Sequence, residues 1–243
     1  MGYYPLCEGS GSTVCDYGPA GLPLATTGYG TTNPWSVGSV LGLNGSVASA
    51  GAVATLPPSL WIGWPITFAV GFLPIATPVS PTYFASLQNN VAGGPYYGWA
   101  FASYAPVYAQ WNSAGAQKFF SSGYTPPLGV DTVISCTISA TSQQIYARGN
   151  LVASQSNSYS NPTYTTSAQL AIGIETGTSG RSTNAVIYWC AWWNRVLSPA
   201  EHMELARNPW QLFAPRVVSG ASAPVVIRSR RTLYGRAGTR GVA

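Results

Sequence analysis

Residues Ala185–Arg216 read AVIYWCAWWNRVLSPAEHMELARNPWQLFAPR. Ala185 to Trp193 is almost wholly apolar and rich in β-branched and aromatic side chains, the composition of a strand buried on both faces. Ser198-Pro199-Ala200-Glu201 follows and fits a capping box. The Ser198 hydroxyl is placed to accept the Glu201 amide proton, and the Glu201 carboxylate to reach back to the Ser198 amide. Pro199 stands where its missing N–H costs nothing. The helix so started runs to about Arg207, because Pro209 disfavours helical geometry at Asn208. Trp210, Leu212 and Phe213 are then expected to pin the exit against the body.

Outward from this segment the chain reads as a series of short strands. They are Val37–Leu43, Ala48–Thr55, Ile66–Pro74, Tyr97–Tyr104, Val107–Trp111, Thr132–Ala140, Gln144–Ala147, Asn150–Ser154, Gln169–Glu175 and Ala185–Trp193. Ile134, Cys136 and Ile138 share one face, and Leu170, Ile172 and Ile174 share another. Gly149-Asn150 carries a hairpin-turn signal. No internal repeat or heptad pattern is present. A chain of 243 residues suffices for one sandwich with one core. The expected organisation is an irregular, Gly/Pro/Thr/Tyr-rich arm over 1–36, an all-β sandwich over 37–213, and a basic C-terminal arm over 214–243.

The order strand, Asn-Arg-Val-Leu-Ser, Pro-Ala-Glu, short helix resembles the C-terminal signature of the laminin-G-like, concanavalin-type jelly-roll domains. Leu43-Asn44-Gly45-Ser46, Thr55-Leu56-Pro57-Pro58 and Ile66-Thr67-Phe68-Ala69-Val70 resemble that family's opening strands. Thr132 to Ala140 with Gln144 to Val152 resembles its central hairpin. There the usual Tyr-x-Asn-Gly stands as Tyr-Ala-Arg-Gly-Asn. Leu170-Ala171-Ile172-Gly173 resembles the strand before the last loop. The resemblance covers roughly Val37 to Phe213, and Val79 to Pro127 matches poorly. It implies a concanavalin-type antiparallel β-sandwich (jelly roll) with one short C-terminal helix and extended terminal arms. The ending Asn208 to Arg216 is similar to versions of this domain in phage and prophage structural proteins.

Charge is scarce and unevenly placed. Residues 17–117, a run of 101, contain no Asp, Glu, Lys, Arg or His. Frequent Trp, Tyr, Phe, Val and Leu in that run argue against disorder. A surface of Ser, Thr, Asn, Gln and Tyr suits a packed assembly. The net charge of +5 lies entirely at the C-terminal end, where Arg216, Arg228, Arg230, Arg231, Arg236 and Arg240 face no acid. Such an end is either solvated or docked on an acidic neighbour, an anionic surface or nucleic acid. Val225-Val226-Ile227 and Thr232-Leu233-Tyr234, alternating with Arg, favour docking as an extended arm. The body offers no basic groove, so nucleic acid is not the expected partner.

Several chemistries find no support. Glycoside hydrolysis on this fold needs carboxylates alternating on one strand face at short separation. The acids here are Glu8, Asp16, Asp131, Glu175, Glu201 and Glu204, and no such run exists. Glu201 and Glu204 flank the single His202 and read as a solvated helix face. The expectation is a non-enzyme without cofactor. Asp131 and Glu175 are too few for a tight calcium cage, and no C-x2-C pair points to zinc. Cys136 and Cys190 read as buried hydrophobes. Cys7 and Cys15 either bridge in an oxidising setting or remain thiols. The start lacks the pattern of a signal peptide. Trp61 to Ala76 is short and proline-broken, a buried strand and not a membrane span.

Contact residues are expected among the aromatics of the divergent middle: Tyr96, Tyr97, Trp99, Tyr104, Tyr108, Trp111 and Asn112, because aromatic faces beside amides suit a glycan or a protein partner. The functional expectation is a virion structural protein, made in the host cytoplasm, decorating a capsid or forming part of a tail or fibre. It would adhere to other virion proteins and to copies of itself through its arms. The alternative is a carbohydrate-binding adhesin for a host surface glycan.

Overall fold

The computed structural model describes residues 1–211 apart from 7, 9, 30–33, 38–39, 42, 45–50, 57–64, 78–81, 90–96, 104–106, 114–115, 157–167, 175–182 and 210. Met1–Phe213 forms one compact unit and Ala214–Ala243 another. The second unit, with its six arginines from Arg216 to Arg240, lies outside the described residues. So do Trp210, Leu212 and Phe213.

Among the described residues the strands in chain order are β1 (Gly2–Tyr4), β2 (Thr13–Val14), β3 (Leu24–Thr27), β4 (Ser36–Val37), β5 (Val40–Leu41), β6 (Leu43–Asn44), β7 (Gly51–Leu56), β8 (Ile66–Pro74), β9 (Thr82–Asn89), β10 (Tyr97–Ser103), β11 (Val107–Ser113), β12 (Ala116–Ser121), β13 (Thr132–Ile138), β14 (Ser142–Ala147), β15 (Asn150–Ser156), β16 (Ala168–Ile172) and β17 (Ala185–Trp193). One helix, α1 (Pro199–Arg207), closes the unit. A seven-stranded sheet runs β1-β17-β8-β13-β14-β15, with β6 also on β17. An eight-stranded sheet runs β12-β11-β10-β9-β16-β7-β3-β2, and β4-β5 is a separate ribbon. Every pairing is antiparallel. The all-β sandwich expected from the sequence is the one found.

The core lies between the sheets and follows the period-2 alternation of strands. Ile66, Phe68, Val70 and Phe72 of β8 and Ile134, Cys136 and Ile138 of β13 face Phe84, Leu87, Leu170 and Ile172 of the opposite sheet. Phe72 and Phe84 meet across the layers with ring centroids 4.2 Å apart. A bulge in β17 between Ile187 and Trp189 shifts the phase, so Ile187, Cys190 and Trp192 all reach the core. Burial pushes the Cys136 thiol up to about 12, which leaves it an inert hydrophobe.

Strand β17 is buried on its outer face as well. Trp189, Ala191 and Trp193 form a second cluster with Tyr3, Ala69, Leu197 and Leu205, and Leu205 brings α1 onto the seven-stranded sheet. Two tryptophans of β17 stand directly opposite glycines: Trp192 pairs with Gly2 of β1 and Trp189 with Gly71 of β8. A Cβ at either glycine would collide with the facing indole. The absent side chains are therefore what lets each ring lie flat across its neighbour.

The segment 1–36 is not an irregular arm. Its β1 pairs with β17, and β2 and β3 extend the other sheet beside β7. Tyr4, Leu6, Val14, Leu24 and Trp35 are core residues. Asp16 organises the segment by accepting from the amides of Tyr3 (2.8 Å), Gly18 (2.7 Å) and Leu22 (3.0 Å). The expected continuous strand over 37–43 is instead divided among β4, β5 and β6. The hairpin turn between β14 and β15 is Arg148-Gly149, one residue earlier than expected. Both have positive φ, 52° and 81°, as a two-residue type I′ turn requires.

Candidate functional site

Strands β9 to β12 carry the described part of the expected contact residues, and register sorts them. Trp99 stands opposite both Leu87 and Trp111, and Trp111 opposite Lys118. Leu170 lies across from Leu87 and extends this row into the core. Trp99 and Trp111 therefore share a register row with Leu87 and Leu170, with Tyr97 two residues away in the same phase. The alternate row runs Gln169, Gln88, Gly98, Asn112, Gln117 and belongs to the other face. Asn112 and, in the same phase of β11, Tyr108 stand there. The seven expected residues thus do not form one patch: Tyr97, Trp99 and Trp111 fall on one face, Tyr108 and Asn112 on the other. Tyr96 and Tyr104 lie outside the described residues.

The helix cap forms as its sequence dictates. Glu201 N donates to Ser198 Oγ at 3.3 Å, and Ser198 N donates to Glu201 Oε2 at 2.8 Å. Arg195 grips the same carboxylate as a fork, Nη2 to Oε1 at 2.6 Å and Nη1 to Oε2 at 3.0 Å. Arg195 first, and Ser198 after it, hold the Glu201 carboxyl down at about 2. The next residue departs from the solvated-face reading of this helix. His202 is fully buried and stacks on Tyr146 with centroids 3.8 Å apart. Its Nδ1 lies 2.7 Å from Ser135 Oγ and its Nε2 3.1 Å from Thr137 Oγ1. Thr137 Oγ1 is 3.2 Å from Thr67 Oγ1, which donates to Arg195 O at 2.8 Å and accepts from Leu197 N at 3.0 Å. A polar chain thus stitches α1 to β13 and β8, and the ring stack ties it to β14. Burial lowers the His202 pKa to about 4, against the opposing pull of the Glu201 charge, so the ring is neutral at pH 7.

Beyond the helix C-terminus the outer face of the seven-stranded sheet opens into a groove of about 580 Å³. Asp131, Arg148, Tyr188, Trp189, Met203 and Arg207 line it. Tyr188 Oη donates to Asp131 Oδ1 at 2.6 Å, and Arg148 Nη2 donates to the Asp131 carbonyl at 3.1 Å. Sequence reasoning did not single out this constellation. Its one local signal was an arginine where the central hairpin usually carries asparagine.

Four of the five described carboxylates hold local structure. Glu8 accepts from Cys15 N at 2.8 Å, Asp16 organises the N-terminal segment, Asp131 takes Tyr188 and Glu201 caps the helix. Among the described residues no three His, Cys, Asp or Glu side chains cluster to hold a metal. Cys15 is an exposed free thiol, and Cys7 lies outside the described residues. No helix of the described residues is long and apolar enough to cross a membrane.

Solved structures share this architecture. The chain is similar to domain 4 of AbnA, a GH43 extracellular arabinanase from Geobacillus stearothermophilus in complex with arabinotriose, with a TM-score of 0.56 and 14% identity over 84% of this chain and 97% of that one. It is similar to the CBM40 of Ruminococcus gnavus IT-sialidase bound to α2,3 sialyllactose, with a TM-score of 0.51 and 13% identity over 58% of this chain and 82% of that one. It is also similar to Trypanosoma rangeli sialidase, with a TM-score of 0.55 and 14% identity over 84% of this chain, and it spans 32% of that sialidase's length. At such identities the likeness concerns the fold. No curated protein matches the chain. The laminin-G-like model described as the Concanavalin A-like lectin/glucanases superfamily matches residues 48–201, more than half the chain, and with its two antiparallel sheets and capped C-terminal helix the chain belongs to that superfamily.

Proposed function

We propose that the chain is a non-catalytic carbohydrate-binding β-sandwich whose glycan contacts centre on the β10–β12 end of the eight-stranded sheet. The observation that carries this reading is the register row Leu87–Trp99–Trp111–Lys118. It begins at a buried leucine and ends at a lysine, a residue that ordinarily keeps its ammonium in water. Between them two tryptophans stand directly opposite each other across the β10–β11 ladder. Indole faces stack on the apolar faces of sugar rings. Arabinotriose on the arabinanase domain and sialyllactose on the CBM40 domain support the same direction for this fold. Trp111→Ala is expected to weaken glycan-array binding about tenfold or more while circular dichroism stays native. Unchanged binding by a folded variant removes this row from the site.

The module is displayed on a virion, in a capsid decoration, tail or fibre, and is synthesised in the host cytoplasm. Two sequence features favour this: the Asn208 to Arg216 ending and the concentration of net positive charge beyond residue 215. Arginine forks on that segment meet carboxylates or carbonyls of neighbouring virion proteins or of further copies of the chain. Deleting residues 217–243 is expected to leave a folded sandwich that no longer joins its particle. Normal incorporation of the shortened chain would remove the role of the segment.

A further inference from the structure

The geometry points to a second binding site. We propose that the groove beyond the C-terminal end of α1 takes the carboxylate of an acidic saccharide between the Arg148 and Arg207 guanidinium groups. Both arginines are exposed and line one groove whose only described counter-charge is Asp131. The Arg207 guanidinium makes no hydrogen bond or ion pair among the described residues. Arg148 donates to a main-chain carbonyl and not to a carboxylate. Two guanidinium forks with N–H donors to spare suit a planar carboxylate.

The backbone supports a purpose for Arg148. It sits at φ 52°, a region in which a branched-chain or long L-residue is strained and asparagine or glycine is favoured. The turn cannot relax outward freely, because Gly149 packs directly against Met203 and Ala206 of α1. The packing of the turn against α1 therefore sustains the strain and keeps Arg148 on the groove that Arg207 also lines.

The rest of the groove selects the class of ligand. Its volume falls within the range of small-molecule sites. Its floor is the face of β8, β13 and β17, whose main-chain groups are paired in ladders, so a peptide finds no strand edge to extend. Recognition falls to side chains: Trp189 and Met203 offer an apolar surface, Tyr188 and Asp131 a hydroxyl and a carboxylate, and the two arginines a charged fork. A ring with an apolar face, hydroxyls and one carboxylate matches that set.

The test is isothermal titration of the full chain with trigalacturonate, a hyaluronan tetrasaccharide and 3′-sialyllactose, each against an uncharged counterpart (the methyl ester, or lactose). At least one acid is expected to bind about tenfold more tightly than its uncharged counterpart. Arg148→Asn and Arg207→Gln should each remove about tenfold of that binding. Arg148→Asn should also raise the melting temperature by about 2–4 °C, because asparagine fits the turn better. The assignment is overturned if none of the three acids binds, if neither arginine variant alters binding, or if inorganic phosphate or tri-aspartate binds as tightly as the best acid.

Discussion

Trp192→Ala is expected to lower the unfolding free energy by about 3–5 kcal/mol, the usual range for removing a buried tryptophan. The residue is 2% exposed, belongs to the main core and lies 5.3 Å from the Tyr4 ring at a 34° tilt. Its ring also covers Gly2, its partner across the β1–β17 ladder. Truncation therefore opens a cavity and exposes the first strand at the same time. In a domain of this size the melting temperature should drop by roughly 10 °C or more. Hydrogen exchange at Tyr3 and Tyr4 should accelerate beyond that of β8 and β13. A loss under about 1 kcal/mol would mean that the core closes over the vacancy, and the cross-strand covering of Gly2 would lose its claimed weight.

The second large effect is acid lability. His202 titrates near 4 in the folded chain, held down first by burial, against 6.5 when unfolded. Above pH 6.5 both states are neutral at this position and its contribution is complete. As pH falls from 6.5 to 4 the unfolded chain takes up a proton that the folded chain refuses. Stability falls by about 3 kcal/mol across that window. Below pH 4 this loss levels off. Glu201, held at about 2 by Arg195 and Ser198, then adds a smaller, partly screened loss between 4.5 and 2. Urea unfolding at several pH values reads the slope directly. His202→Gln should flatten the limb between pH 6.5 and 4, while His202→Ala should also destabilise at pH 7, since the Ser135 and Thr137 hydroxyls lose their buried partner. A slope in the Gln variant equal to that of the parent would place the titrating group elsewhere.

Much of the architecture was legible because the decisive segments carry strong local signals. β8 and β17 have the bounds expected for continuous apolar runs, and α1 starts and stops where its capping box and Pro209 dictate. What escaped has physical causes. β1, β2 and β3 are two to four residues long, too short for periodicity to register, and β1 is held by a partner distant in sequence. β9 and β12 fall in the stretch where the family resemblance matches poorly. The central hairpin was found but its turn was placed one residue late, since Arg148 in a left-handed conformation is not the residue a two-residue turn usually offers. The contact residues were harder still. Composition identified an aromatic-rich region, but only strand register separates Trp99 and Trp111 from Tyr108 and Asn112. His202 read as a helix-surface residue because nothing local announces that its neighbours in space are Ser135, Thr137 and Tyr146.

The pairing of β1 with β17 also sets an order of events on the ribosome. Within this unit Gly2, Tyr3 and Tyr4 are made before the residues they pack against, and the strand that receives them is among the last of the unit to be made. At ordinary rates of translation that interval is roughly 10–40 s. During it the nascent chain presents two tyrosines and an unpaired edge to whatever lies nearby, so docking of the amino-terminal strand is the lock that closes only when synthesis of the sandwich is nearly done.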